Sequence, residues 1–308
     1  MPSAPEFHIL RGNSPDEQSA LIDLLGHKGI VWLLHVRDYF KRGACGMLEG
    51  LEWRFCCVQV NGVLVSTSCL WESKGVGILA HVFTRPSARG KGFAKDLMAF
   101  ALQNFDARGG HWLQLNVEPN SFQQSFYSKF NFEKHPQQPG SMIRLRTEVL
   151  IQPAQYSGDV QASPMKANSI RPFCWGDFPH WNKFFLELQH KEAFHNGFQV
   201  ETPCSLEFPL IEAHFGNAEF TGCALMNHAK EQIIQAIATR ITRNGECWVD
   251  VHQNPNATAT PVPVELIDCV LQGVSGQIYW RAAGNLGVLA AEKGFTYCEA
   301  KRCWIRAV

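Results

Sequence analysis

Apolar and polar residues alternate over Glu6 to Arg11, which predicts a short strand. Ser14 followed by Gln18, ahead of Leu21, Leu24 and Leu25, predicts a capped helix with one apolar face. A second helix is expected from about Gly29 to Lys41. Trp53 to Val60 and Val63 to Trp71 are apolar runs joined by Asn61-Gly62, and they read as a hairpin because Asn-Gly accepts the positive φ angles of a tight turn. Val76 to Thr84 predicts a third short strand of this group. After Pro86 the period lengthens: Phe93, Leu97, Phe100, Ala101 and Phe105 fall on one face of a helix that ends at Gly109-Gly110. Trp112 to Val117 is then a strand, Ser121 to Lys129 a helix and Met142 to Arg146 a closing strand, so this half is mixed α/β.

From Thr147 to Asn168 the chain loosens into Gln, Ser, Pro, Gly and Ala without a clear period, as a connection between two folded units does. The expected domains are therefore 1–150 and 165–308. Ser169-Ile170-Arg171-Pro172 with Asp177 echoes Ile9, Arg11 and Asp16. Ala94-Lys95-Asp96 up to Arg108-Gly109-Gly110 lies without a gap over Ala229-Lys230-Glu231 up to Arg243-Asn244-Gly245, which places a second long helix there. Glu292-Lys293-Gly294-Phe295 matches Ser128-Lys129-Phe130-Asn131-Phe132. These echoes predict an internal duplication; the competing account is that any two α/β units share such patterns.

Composition narrows the functional classes. The 308 residues are 45% hydrophobic and 18% charged, enough for substantial cores. Lys and Arg number 28 and Asp and Glu 28, so no global field attracts nucleic acid or anionic lipid, and neither is an expected partner. The eleven Cys show no CxxC spacing, and the start lacks the pattern of a secretion signal; reduced thiols in a cytoplasmic protein are expected. The longest apolar runs fall far short of the roughly 20 residues that span a bilayer. His180, His190 and His195 have no Cys or carboxylate at metal-ligand spacing, and no metal is expected. The nine Trp and twenty-one Phe could line an aromatic acceptor pocket, although core packing is their ordinary use.

The strongest local signal is Arg89-Gly90-Lys91-Gly92-Phe93-Ala94, between a strand and a helix. Small residues let the backbone turn so that consecutive N–H groups converge, and the helix dipole adds partial positive charge there. That suits a phosphate group, and the same letters also suit an ordinary tight turn. The Lys-Ser/Thr of a Walker loop is missing, and the spacing is not the dinucleotide fingerprint. Arg85, Arg89 and Lys91 form a small basic cluster that either is solvated surface or attracts phosphates.

With these flanks the sequence resembles the GNAT superfamily of acyl-CoA-dependent N-acetyltransferases. Arg89, Gly92 and Ala94 fill that family's pyrophosphate-loop pattern. Leu115, Val117, Asn120, Tyr127 and Asn131-Phe132 follow as its second motif, with Asn131 where Gly is usual. Asn also accepts left-handed backbone angles. The resemblance covers roughly Trp53 to Arg146. It implies a mixed, mostly antiparallel sheet flanked by helices, duplicated here, and acetyl-CoA as co-substrate.

The resemblance implies that main-chain groups of Val82, Phe83 and Thr84 pair with pantetheine as a peptide adds to a sheet edge. It implies that the N–H groups of Arg89, Gly90, Lys91, Gly92, Phe93 and Ala94 hold the pyrophosphate, and that Tyr127 protonates the departing thiolate. Asn120 would contact the pantetheine arm, or simply cap its helix. Many relatives carry a Glu base on the strand before the loop, and Gly77 to Thr84 has no carboxylate. His81 is the titratable side chain there, Glu118 after the next strand is the other candidate, and transfer without a dedicated base is the third.

Under the gap-free overlay the loop's counterpart is Ala224-Leu225-Met226-Asn227-His228-Ala229, without glycine, and that of Tyr127 is Ala290. One acyl-CoA site per chain is expected, in the first half, with the second a degenerate copy. The implied reaction is acetyl transfer to the amine of a small-molecule acceptor, by a monomer or homodimer. Acyl-CoA decarboxylation, S-acyl transfer or acyl-CoA sensing without turnover are the alternatives.

Overall fold

The structure is a computed structural model that describes the chain except residues 1–3, most of 30–47, 137, 147–167, 188–219, 228–232, 244–245, 255–260, 281, 283–284, 302 and 308. It divides into two units, Met1–Pro153 with Cys174–His180, and Ala154–Phe173 with Trp181–Val308.

In the first unit the local signals act as their chemistry dictates. The Ser14 hydroxyl accepts the N–H of Glu17 at 3.2 Å, and the Glu17 carboxylate accepts the N–H groups of Arg11 and Asn13, fixing the start of α1 (Pro15–Leu25) after β1 (Glu6–Leu10). Asn61 and Gly62, with φ of 51° and 76°, turn β2 (Glu52–Val60) into β3 (Val63–Ser73). The chain continues through β4 (Val76–Thr84), α2 (Phe93–Ala107), β5 (Trp112–Asn116), α3 (Phe122–Ser128), β6 (Glu133–Lys134) and β7 (Ser141–Leu145). The expected helix from Gly29 to Lys41 lies mostly outside the described residues.

Among the described residues the sheet order is β1-β2-β3-β4-β5-β7-β6, antiparallel throughout except for the parallel pair β4–β5. One sheet face, with Cys56, Val58, Leu70, Leu79 and Leu115, packs on Leu97, Met98, Ala101 and Phe105 of α2 and on Tyr127 and Phe132. At the rim of this core, buried Glu72 on β3 pairs with Arg54 of β2 and receives both Arg108 Nε (2.7 Å) and an Arg108 terminal nitrogen (2.8 Å) just past α2.

The second unit runs β8 (Asn168–Pro172), α4 (Phe178–Glu187, its first three residues counted with the first unit), β9 (Phe220–Asn227), β10 (Ile233–Arg243), β11 (Glu246–Gln253), α5 (Val264–Leu271), β12 (Gln277–Trp280), α6 (Asn285–Glu292), β13 (Thr296–Cys298) and β14 (Cys303–Ala307). Its sheet order, β8-β9-β10-β11-β12-β14-β13, repeats that of the first sheet, and its parallel pair, β11–β12, falls at the same step. The architecture is thus a mixed, mostly antiparallel sheet with helices, present twice.

The gap-free overlay is corrected. Ile233–Arg243, expected as a counterpart of α2, is strand β10, paired with both β9 and β11. Its Ile and Thr residues recur with a period of two around small Ala residues, a pattern that fits a pleated surface better than a helix. Ala229-Lys230-Glu231 lies outside the described residues. The counterpart of α2 is α5, and that of the glycine loop is the connection from Asn254 to Pro263, not Ala224 to Ala229. The corrected segment still contains no glycine.

Candidate functional site

The site begins where β4 leaves β5. Val76, Gly77 and Ile78 pair with Trp112, Leu113 and Gln114; beyond them, among the described residues, Leu79 to Thr84 run on without a strand on that side. Across the strand, the pairing with β3 shifts register between Thr67 and Cys69, opposite His81, whose φ is +52°. A displaced pair with a left-handed residue bends a strand and increases its twist, and this one lies on the stretch of β4 that runs on past β5.

Strand alternation then decides which amides face the opening. The Arg85 N–H is donated to Val65 O at 2.8 Å, toward β3, and the Phe83 carbonyl accepts the Ser66 hydroxyl at 3.1 Å, also on β3. Val82 and Thr84, one residue out of phase, therefore direct their main-chain groups to the open edge. Of the three residues expected to pair along this edge, Phe83 faces the other way. Its ring lies on the α1 side, stacked on the exposed His27 imidazole at 3.9 Å between centroids and 18° between planes. The Thr84 hydroxyl meets the Ser66 hydroxyl at 2.7 Å.

Past Thr84 the chain makes one tight turn, Pro86–Ala88, and reaches the glycine loop. Gly90 and Gly92 have φ of +77° and +86°, and a Cβ on Gly90 would meet nothing within 4 Å, so the loop is open to the outside. Gly92 caps α2, whose first N–H groups have no carbonyl before them. The Arg89 N–H is already donated to Pro86 O at 3.3 Å, which leaves the N–H groups of Gly90, Lys91, Gly92, Phe93 and Ala94 as the candidates for the loop. The Arg89 side chain turns back: Nε is donated to Thr84 O at 3.1 Å, and its guanidinium lies 6.0 Å from the Phe83 ring centroid.

Tyr127 on α3 is buried in the same apolar cluster as Leu79 and Leu115, with Val82 packed at its margin. Its ring meets Phe126 and Phe132 edge-on at 5.2 and 5.8 Å, and burial raises the phenol pKa, keeping it protonated. Ser121, not Asn120, caps α3. Asn120 stands one residue ahead, exposed, at φ +58°, with its N–H on Gln124 Oε1 at 2.9 Å.

The two base candidates sit in opposite surroundings. His81 packs between Phe55 (6.3 Å) and Trp71 (5.4 Å), and burial, then Lys28 and His27, push its pKa well below the usual imidazole range. Glu118 is exposed in the turn after β5. Among the described residues no three His, Cys, Asp or Glu side chains gather as a metal site, and no helix is long and apolar enough to cross a membrane. Sequence reasoning missed His27 and Ser66, and nothing in their local letters marks them.

Residues 52–134, which include β4, the glycine loop and Tyr127, match the family model described as an acetyltransferase (GNAT) domain. No curated protein matches the chain. Among solved structures, the chain is similar to the PaiA N-acetyltransferase of Thermoplasma acidophilum in complex with coenzyme A, at 17% identity and a TM-score of 0.37, over 47% of this chain and 100% of that one. It is also similar to the ribosomal-protein-S18-alanine N-acetyltransferase of Escherichia coli, at 14% identity and a TM-score of 0.35, over 48% of this chain and 99% of that one. Residues 52–134, all within the first unit, thus match a GNAT acetyltransferase domain.

Proposed function

We propose that the first unit binds acetyl-CoA along the open edge of β4 and transfers its acetyl group to the amine of a small-molecule acceptor. The observation that carries this reading is the meeting of two features at one end of β4: an edge left without a strand beyond Ile78, and an open glycine turn at the head of α2. Val82 and Thr84 offer donors and acceptors to the pantetheine amides, and the N–H groups from Gly90 to Ala94 offer a cradle to the pyrophosphate. Lys91, exposed in the loop, adds charge, and Asn120 stands near the arm.

In the proposed step the acceptor nitrogen attacks the thioester carbonyl. The C–N bond forms, the C–S bond breaks, and the Tyr127 hydroxyl gives its proton to the thiolate. Burial keeps that phenol protonated before the step, and a proton returned from water, matching the one the acceptor releases, restores it afterwards. The acceptor's proton passes to water: His81 is too weak a base in its aromatic setting, and Glu118 faces solvent. Holding both substrates in line supplies much of the rate, so a base on β4 is dispensable.

The second unit is read as a degenerate copy. Its β10–β11 pairing runs from Arg243↔Glu246 to Ala236↔Gln253 without a shift, its loop has no glycine, and Ala290 stands where Tyr127 does. Titration of the full chain with acetyl-CoA tests the binding, and free-thiol release with a panel of small amines tests the transfer. Binding with no amine-dependent release would overturn the transferase reading in favour of sensing, and release from malonyl-CoA without amine would point to decarboxylation.

A further inference from the structure

The exposed imidazole stacked on the strand has no part in the chemistry above, and its position gives it another one. Tyr127 and Val82 belong to the face of the sheet filled by α2 and its apolar cluster, which leaves no route for an acceptor on that side. With the sulfur held on the Tyr127 face, the acyl group of a bound thioester is directed through the opening beyond Ile78 toward the α1 face. There the strand presents the Phe83 ring, half-buried, and the His81 ring enclosed by Phe55 and Trp71. The turn Gly26–Lys28 after α1 lays the His27 ring flat on Phe83, and Arg89 approaches the same Phe83 ring. The space that an acyl chain would enter is therefore walled by stacked rings, and among the described residues the ring laid over Phe83 is the exposed side chain of His27.

We propose that His27 is a specificity-determining residue of the first unit, its ring on Phe83 limiting the acyl group to a short chain. The inference rests on the acyl-CoA reading of this unit. Removing the ring opens a gap one ring deep over Phe83, into which further methylenes can be buried; keeping a ring of similar size preserves the limit.

The test is calorimetric titration of the full chain with CoA, acetyl-CoA, butyryl-CoA and hexanoyl-CoA, for the wild type, His27→Ala and His27→Phe. The wild type is expected to bind acetyl-CoA at least as tightly as the longer thioesters. His27→Ala is expected to shift the ratio of affinities toward the longer chains by about fourfold for each added methylene that becomes buried. His27→Phe is expected to keep the wild-type order. CoA itself, which has no acyl group, is expected to bind all three alike, which also reports an intact fold. CoA binding alike with no change of ratio in His27→Ala overturns the inference and leaves the acyl-CoA reading standing. A wild type that binds none of the four overturns that reading, and the inference with it.

Discussion

Tyr127 and Ala290 occupy the same position of the duplicated fold. The Tyr127 carbonyl accepts the N–H of Phe130 at 2.9 Å and of Phe132 at 3.4 Å, and the Ala290 carbonyl accepts the N–H of Lys293 at 3.1 Å and of Phe295 at 3.0 Å. Each closes a helix through a left-handed residue, Asn131 at φ +63° and Gly294 at φ +78°. The backbone is alike in the two units, and the phenol is present in one. One acetyl-CoA per chain is the expected stoichiometry by calorimetry, and two equivalent sites would contradict the assignment of the second unit.

Replacing Tyr127 by Phe keeps the ring contacts and removes the proton. Turnover is expected to fall by about 10²–10⁴-fold, the usual contribution of a positioned acid, with little change in acetyl-CoA affinity. Steady-state rates set beside a binding titration measure both, and a fall in affinity of the same size would assign Tyr127 to binding instead.

Gly90→Ala meets no neighbour, so its effect isolates backbone strain. At φ +77° a side chain costs about 1–2 kcal/mol, which the loop can relieve only by moving its N–H groups out of convergence. Weaker CoA binding with a nearly unchanged melting temperature is expected. Unchanged binding would show that the N–H groups of this loop do not hold the ligand.

Glu72→Ala leaves Arg108, partly buried, without its carboxylate, and Arg54, buried on β2, with Glu52 alone. Breaking a buried pair from one side costs about 3–5 kcal/mol, and urea unfolding of the first unit should register a loss of that size. Glu72 lies far down β3 from the glycine loop, so CoA affinity at low temperature should hold.

His81 is neutral in the fold, with a proton affinity below that of an imidazole in the unfolded chain. The unfolded chain therefore binds more protons once the pH drops below about 6.5, and the stability that His81 contributes, full above that pH, declines as the pH falls. His81→Asn, which accepts the left-handed backbone, should lose less melting temperature between pH 7.5 and 5.5 than the wild type does.

Much of the first unit was legible because its signals are short-range. The Asn61-Gly62 turn, the change of period after Pro86 and the two glycines each act within a few residues, and the structure places β2, β3, α2 and the loop where those letters put them. The register shift at His81 was not legible, since it depends on how two strands pair rather than on either alone. Neither was the orientation of Phe83: knowing that it lies on the strand does not say which way its amide points. The Arg54–Glu72–Arg108 cluster joins residues distant in sequence, and His27 meets Phe83 only through the fold. The overlay of α2 on Ile233–Arg243 misled for the opposite reason: a few shared letters outweighed the alternating Ile and Thr of a strand.

The unbroken ladder between β10 and β11 bears on ancestry. Installing there a shift like the one at His81 takes an extra residue in one strand, and a one-residue slip would turn every following side chain to the opposite face. Glycines in the connection and a phenol at the helix end would have to arrive with it. No single substitution offers that combination, so converting the second unit to the first unit's local geometry takes several coordinated changes rather than one.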